Sequence, residues 1–148
     1  MAIKRILAAT DFDELATVAV RYAADLARSA GAELIILFAD PFAPPPEFTV
    51  DQVDNIAAAI EQARVRALQE LNRYAESLIG NDISWRAIVA VGTPAASIIR
   101  TAQEEHADLI AMGTHGRSGL RRLLLGSVAE RVMREAPVPL LTIRNPAP

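Results

Sequence analysis

Met112-Gly113-Thr114-His115-Gly116-Arg117-Ser118-Gly119 is the stretch of the sequence that decides the fold. It follows the apolar run 107–112, and a helical pattern over 127–134 begins directly after Gly126. The order of strand, glycine-rich loop and helix start predicts a phosphate-binding turn. Glycine lets backbone N–H groups approach a ligand, and a helix N-terminus carries unpaired donors and a partial positive charge. Glycines after a strand are also common as simple turn residues, so a purely structural role stays open.

Outward from this loop, apolar strand patterns alternate with helical patterns along the whole chain. The strands are predicted over 3–10, 33–38, 83–91, 107–112 and 138–143, and the helices over 13–30, 51–78, 94–105 and 127–134. This alternation predicts an α/β fold with a doubly wound, five-stranded parallel sheet and helices on both faces. Ligands of such sheets bind beyond the carboxyl ends of the strands, so Asp11 and the glycine-rich loop are expected to face one cavity.

Composition narrows the class of protein. A length of 148 residues with 51% hydrophobic residues predicts one domain, 1–148, with a sizeable core. The formal charge of −3 gives no basic field for nucleic acid, and the absence of cysteine excludes disulfides and thiolate chemistry. Apolar runs stay well short of the roughly 18 residues of a membrane span, and the first residues enter a strand at once. We therefore expect a cytoplasmic protein without nucleic-acid or membrane partners.

Several motifs, spread over nearly the whole chain, resemble the universal stress protein family in its ATP-binding branch. The spacing of Gly113, two residues, Gly116, nine residues, Gly126 and then Ser127 is similar to the family's nucleotide-phosphate motif. The other matching segments are Ile6-Leu7-Ala8-Ala9-Thr10-Asp11-Phe12, Gly92-Thr93-Pro94-Ala95, Ala107-Asp108-Leu109-Ile110 and Pro137-Val138-Pro139-Leu140-Leu141. The spacing is neither a P-loop nor a dinucleotide fingerprint, because it lacks both the Gly-Lys-Ser/Thr ending and the Gly-x-Gly start.

The resemblance implies a strand order of 3-2-1-4-5, with ATP at the point where the order reverses, and we expect Mg²⁺ to accompany the ATP. It also implies a homodimer paired through the last strand, Val138 to Ile143, whose apolar edge invites pairing. An unidentified protein partner would read the nucleotide or dimer state. Carried over position by position, the nucleotide-binding residues are Ala9, Thr10, Asp11, Phe38, Ala39, Met112, Gly113, Gly116, Arg117, Gly126, Ser127 and Val128.

In this assignment the residues after the first strand contact adenine or ribose, and Phe38 and Ala39 border the base. Met112 to Arg117 wrap ribose and phosphates, and the residues from Gly126 onward donate to the phosphates. Asp11 would hold Mg²⁺ through water. Three departures from the family pattern are Ala9, which stands where proline is frequent, Asp13, which replaces a serine, and Ala129, which lacks a hydroxyl. The missing hydroxyl removes one hydrogen bond of about 0.5–1.5 kcal/mol.

Structural roles compete with these assignments. Asp11 or Asp13 could cap the first helix, Thr93 supplies a capping hydroxyl for the third, and Ser127 is expected to cap the last helix as well as bind phosphate. His115 has two glycines near it and could touch phosphate, but the expected role is that of a solvent-exposed loop residue. Arg117 is expected to approach phosphate, while Arg121 and Arg122 lie on the surface.

Functional alternatives follow from the same residues. The leading hypothesis is an ATP-binding stress-response or signalling module that hydrolyses ATP slowly or not at all. Its rival is a phosphotransferase that uses Asp11-x-Asp13, but that chemistry needs a lysine, and Lys4 is the only one in the chain. A phosphorylated receiver domain fails for the same reason. A dimer scaffold of the same fold that binds no nucleotide also stays open.

Overall fold

The computed structural model describes residues 1–41, 50–115 and 125–144, apart from the side chains of Val50 and Asp51. The strands are β1 (Arg5–Ala9), β2 (Glu33–Asp40), β3 (Trp85–Val91), β4 (Leu109–Gly113) and β5 (Leu140–Ile143). The helices are α1 (Glu14–Ala30), α2 (Val50–Leu78), α3 (Pro94–Glu104) and α4 (Ser127–Glu135). The predicted α/β class and the alternation of strands and helices are confirmed.

All neighbouring strands of the sheet are parallel, in the order β3-β2-β1-β4-β5. This confirms the order 3-2-1-4-5. On β1, Ala9 lies opposite Leu37 of β2 and Ala8 lies opposite Ala111 of β4. The strand order reverses at β1, so the carboxyl ends of β1, β2 and β4 meet where a cleft opens between the helix layers.

Both faces of the sheet are covered, which explains the continuous apolar runs of its central strands. Along β1, Ile6 and Ala8 pack against α1 and α2, whereas Leu7 and Ala9 pack on the opposite face, against α3 and α4. The four residues from Leu34 to Leu37 are fully buried. Among the described residues, no helix is long and apolar enough to cross a membrane.

The helix starts of α3 and α4 differ from the sequence prediction, whereas that of α1 agrees with it. The carboxylate of Asp13 caps α1, because the N–H of Ala16 donates to Asp13 Oδ1 over 2.6 Å. Thr93 occupies the N-cap position of α3, but its hydroxyl makes no capping hydrogen bond, so the predicted capping hydroxyl is wrong. The N-cap of α4 is Gly126, and Ser127 is the first helical residue. The predicted stop of α1 at Gly31 is confirmed, with this glycine in the left-handed region at φ 66°.

At the opposite end of the sheet, Asp108 joins β4 to the start of β1. Its Oδ2 accepts the backbone N–H groups of Lys4 at 2.8 Å and Arg5 at 3.0 Å. These two hydrogen bonds, and the positive charges of the same two residues, hold the pKa of the Asp108 carboxyl below its usual range.

This lowered pKa predicts a pH-dependent contribution to stability. The contribution is present above the unfolded-state pKa, about 3.9 for Asp, and is lost as the pH falls through the lower folded-state pKa. Asp108→Asn should therefore lower the Tm at pH 7, and its difference from wild type should shrink as the pH falls below about 4. Asp54→Asn, at an exposed position of α2, is the matched control. A Tm difference for Asp108→Asn that is constant over this pH range would contradict the charge-based explanation.

Candidate functional site

A cavity of about 170 Å³ lies at the carboxyl ends of β1, β2 and β4. This volume is more than ten times the roughly 10–15 Å³ that one water needs, so the cavity is a ligand-sized space and not a packing defect. Its described lining consists of Ala9, Thr10, Asp11, Ala16, Leu37, Ala39, Pro94, Ile98, Met112, Gly113, Thr114, His115, Gly126, Ser127, Val128 and Ala129.

The turn between β1 and α1 places Asp11 in this cavity. Thr10 is buried, and its N–H extends the sheet by donating to the Leu37 carbonyl over 2.9 Å. The N–H of Asp13 donates to Asp11 Oδ1 over 3.2 Å, which fixes the carboxylate relative to the turn. Because Asp13 caps the helix, the alternative that Asp11 is the cap of α1 is wrong.

The start of α4 touches the end of β4 through Gly126. The Gly126 N–H donates to the Thr114 carbonyl oxygen over 2.8 Å, and a Cβ added to this glycine would lie 2.6 Å from the same oxygen. The φ of Gly126 is −61°, so glycine is required here for space and not for a left-handed backbone. Gly113 is similarly close to α1, with a Cβ position 3.1 Å from Leu15 Cγ.

This contact aims the first turn of α4 at the cavity. The first hydrogen bond within the helix runs from the Glu130 N–H to the Gly126 carbonyl over 2.8 Å. The preceding N–H groups, on Ser127, Val128 and Ala129, therefore have no acceptor inside the helix. Gly126 has no side chain to cap them, and all three residues line the cavity. Together with the helix dipole, these donors form an anion-binding end.

Another part of the cavity lining, the apolar wall, consists of Leu37 and Ala39 of β2, Met112 of β4, and Pro94 and Ile98 in the first turns of α3. A flat apolar ring is the kind of group that suits such a wall.

Phe38 does not line the cavity, although the family resemblance implies that it borders the base. Successive side chains of a strand point to opposite faces, so Leu37 and Ala39 take the cavity face. The Phe38 ring packs instead on the α1 and α2 face, 4.9 Å from the ring of Phe12.

His115 is half-buried and lines the cavity, so the expectation of a solvent-exposed histidine is wrong. Its Nδ1 lies 3.0 Å from the Thr114 hydroxyl oxygen. Its Nε2 is buried and finds no hydrogen-bond partner among the described residues. In the sequence, the only sign that His115 belongs to the cavity was its position between Gly113 and Gly116.

All predicted site residues line the cavity except Phe38, Gly116 and Arg117, and the last two lie outside the described residues. The prediction missed the following lining residues: Ala16, Leu37, Pro94, Ile98, Thr114, His115 and Ala129. Leu37 follows from strand alternation, and Pro94 and Ile98 follow from helical spacing, once it is known which face points inward.

Charge in the described part of the cavity is sparse. Its lining contains the carboxylate of Asp11 and no lysine or arginine. The described residues also contain no group of three or more His, Cys, Asp or Glu side chains that could hold a metal. The positive potential of this part of the cavity thus comes from backbone N–H groups.

Comparisons with known proteins agree with this architecture. The model of the universal stress protein family matches residues 2–144. The universal stress protein MJ0531 of Methanocaldococcus jannaschii is 31% identical over 147 residues, which cover 97% of this chain and 83% of that protein. The solved structure of MJ0577, from the same organism, has a TM-score of 0.80 at 26% identity and covers 100% of both chains. A universal stress protein solved in complex with cAMP is 29% identical, with a TM-score of 0.63, and covers 97% of this chain and 98% of that chain.

The geometry at Gly126 predicts that even the methyl group of alanine at this position lowers the stability of the protein. Gly126→Ala should destabilise the protein by about 1–3 kcal/mol, because its Cβ has no room beside the Thr114 oxygen. The Tm should fall by roughly 2–4 °C per kcal/mol. Gly80→Ala is the matched control, since its Cβ would meet only the end of the exposed Asp82 side chain, which is paired with Arg28, and no backbone atom. Equal Tm values for the two variants would show that the close approach at Gly126 is unimportant.

Proposed function

Because the chain belongs to the universal stress protein family, we propose that it is a nucleotide-binding module whose ligand is ATP with Mg²⁺. The observation that carries this proposal is the uncapped start of α4, whose first N–H groups line the cavity. A phosphate is the ligand group that such a helix end favours. The module would act in stress response or signalling by presenting its nucleotide state to a partner protein.

The chemistry of the cavity lining suggests which part of a nucleotide would bind where. The apolar wall of Leu37, Ala39, Ile98 and Met112 suits an adenine ring, and the carboxylate of Asp11 can accept a hydrogen bond from a ribose hydroxyl. The universal stress protein solved with cAMP supports a nucleotide as the class of ligand, since cAMP also contains an adenine ring, a ribose and a phosphate. Mg²⁺ would reach the site with the phosphates, with Asp11 as its contact through water.

The homodimer through Val138 to Ile143 belongs to the same proposal, as does a cytoplasmic location. Strand β5 is at the edge of the five-stranded sheet, and Leu140, Leu141 and Ile143 remain partly exposed. The outer edge of such a strand presents backbone N–H and C=O groups that can pair with a second copy.

The phosphotransferase alternative gains no support from the acidic turn. That reaction would require the second carboxylate of Asp11-x-Asp13 to move protons, but Asp13 Oδ1 accepts the Ala16 N–H as the cap of α1. Donating a proton from this carboxylate would compete with capping of the helix.

Binding of ATP should raise the thermal stability of the chain. At a concentration of about 100 times Kd, a ligand stabilises by about 2.7 kcal/mol. A domain of this length shifts by about 2–4 °C per kcal/mol, so the Tm should rise by roughly 5–11 °C with saturating Mg-ATP. Native mass spectrometry of protein purified without added nucleotide identifies any co-purified ligand. A Tm shift below about one degree, with no heat of binding in calorimetry, would favour the scaffold without nucleotide.

The role of the α4 donors can be isolated at Ser127. Proline is tolerated at the first helical position, and the extended backbone of Gly126, at ψ 151°, accepts a following proline. Ser127→Pro removes an N–H donor together with the hydroxyl, whereas the matched control Ser127→Ala removes only the hydroxyl. Loss of a hydrogen bond to a charged group costs about 1.5–3 kcal/mol, so Ser127→Pro should bind ATP at least tenfold more weakly than Ser127→Ala. Equal Kd values in calorimetry would remove this N–H from the site.

A further inference from the structure

Three side-chain hydroxyl groups form a hydrogen-bonded chain behind the turn between β1 and α1. The Phe12 N–H donates to Thr10 Oγ1 over 3.0 Å, and Thr10 Oγ1 donates to the Tyr74 hydroxyl over 3.0 Å. The Tyr74 hydroxyl lies 2.8 Å from Thr17 Oγ1, which donates to the Asp13 carbonyl over 2.8 Å. A hydroxyl has one proton, and that of Thr17 goes to Asp13, so Tyr74 must donate to Thr17.

The two ends of this chain lie on either side of a strained backbone position. Phe12 has φ 67°, in the left-handed region that a bulky residue seldom adopts. Its N–H is held by Thr10, and the carbonyl of the following Asp13 is held by Thr17. The Phe12 ring also packs edge-on against the Tyr74 ring, at a centroid distance of 5.0 Å and an angle of 74°. Tyr74 thus supports Phe12 through both its hydroxyl and its ring.

Tyr74 is held in place by its own helix. Leu71 and Ala75, on the same side of α2, are fully buried in the core, so this part of the helix is anchored against the sheet. Tyr74 itself does not line the cavity, whereas Asp11 does. Asp11 lies between Thr10 and Phe12, so the direction of its side chain depends on the two residues that the chain fixes.

We propose that Tyr74 is a positioning residue that orients the Asp11 carboxylate for the bound nucleotide. This inference rests on the proposed nucleotide-binding function. The Tyr74 hydroxyl lies outside the cavity and would raise the affinity for the nucleotide indirectly, through the hydrogen-bonded chain and the left-handed Phe12.

The first test removes only the hydroxyl. Tyr74→Phe retains the ring contact with Phe12, and the matched control is Tyr22→Phe on α1, where the tyrosine is 58% exposed. In calorimetry with Mg-ATP, Tyr74→Phe should raise Kd about three- to tenfold, the effect of one or two lost hydrogen bonds. Tyr22→Phe should leave Kd unchanged. A wild-type chain that binds no ATP would contradict the proposed function itself, whereas wild-type binding with an unchanged Kd in Tyr74→Phe would overturn only the role of Tyr74.

A double-mutant cycle with Asp11→Ala separates positioning from general destabilisation. If Tyr74 acts through Asp11, then Tyr74→Phe has no further effect on the Kd for Mg-ATP once the carboxylate is gone. The same fold-change in both backgrounds would overturn the inference. It would also be overturned if Asp11→Ala alone left Kd unchanged, because there would be nothing for Tyr74 to position.

Hydrogen exchange of the free protein provides a readout that needs no nucleotide. The Phe12 amide should exchange faster in Tyr74→Phe than in wild type and Tyr22→Phe, because Thr10 loses the partner that fixes its hydroxyl. An unchanged exchange rate would show that the turn is held without Tyr74 and would contradict the proposal.

Discussion

The site depends on the hydrogen bond between the Gly126 N–H and the Thr114 carbonyl oxygen, at 2.8 Å. It holds the start of α4 against the end of β4, at a separation that leaves no space for a Cβ. The same glycine leaves the helix N-terminus uncapped. A serine or aspartate in its place would stabilise an isolated helix by about 0.5–2 kcal/mol, but its side chain would occupy the donors that now face the cavity. One residue therefore sets both the position of the helix end and its availability to an anion.

The three helix starts around the cavity differ in whether their first N–H groups are capped, missing or open, so each contributes a different chemistry to the site. The first, α1, is capped by the side chain of Asp13, and the nearby Asp11 lines the cavity. Helix α3 begins with Pro94, which has no N–H and contributes an apolar surface. Among the described residues of these three starts, only α4 combines an N-cap residue without a capping side chain with a full set of N–H groups. Helix dipoles alone would make all three ends alike, and it is the capping chemistry that makes one of them the anion-binding end.

Much of the fold could be predicted from the sequence, because strands buried on both faces leave continuous apolar runs such as 33–38, with amphipathic helices between them. That Asp11 and the glycine-rich loop face one cavity could also be predicted, since parallel strands bring their carboxyl ends together, whereas the other site residues came from the family resemblance. The direction of individual side chains was harder to predict. Phe38 and Leu37 are adjacent and apolar, and only the register of β2 decides which one faces the ligand. The contacts of Tyr74 could not be predicted from local sequence patterns, since its partners Thr10 and Thr17 are 64 and 57 residues away in the chain.

The distribution of charge in the described cavity gives the proposed nucleotide one preferred direction. The Asp11 carboxylate accepts hydrogen bonds from hydroxyl groups and would meet phosphate only across the proposed Mg²⁺, while the start of α4 attracts phosphate directly and offers no acceptor. A nucleotide placed in reverse would set its phosphates against the carboxylate and leave the α4 donors facing a ring. The backbone donors keep their protons at any physiological pH, and their position is fixed by the Gly126 contact. The proposed orientation of the nucleotide would thus depend on the rigidity of two turns, one held by the Gly126 hydrogen bond and the other by the hydroxyl chain through Tyr74.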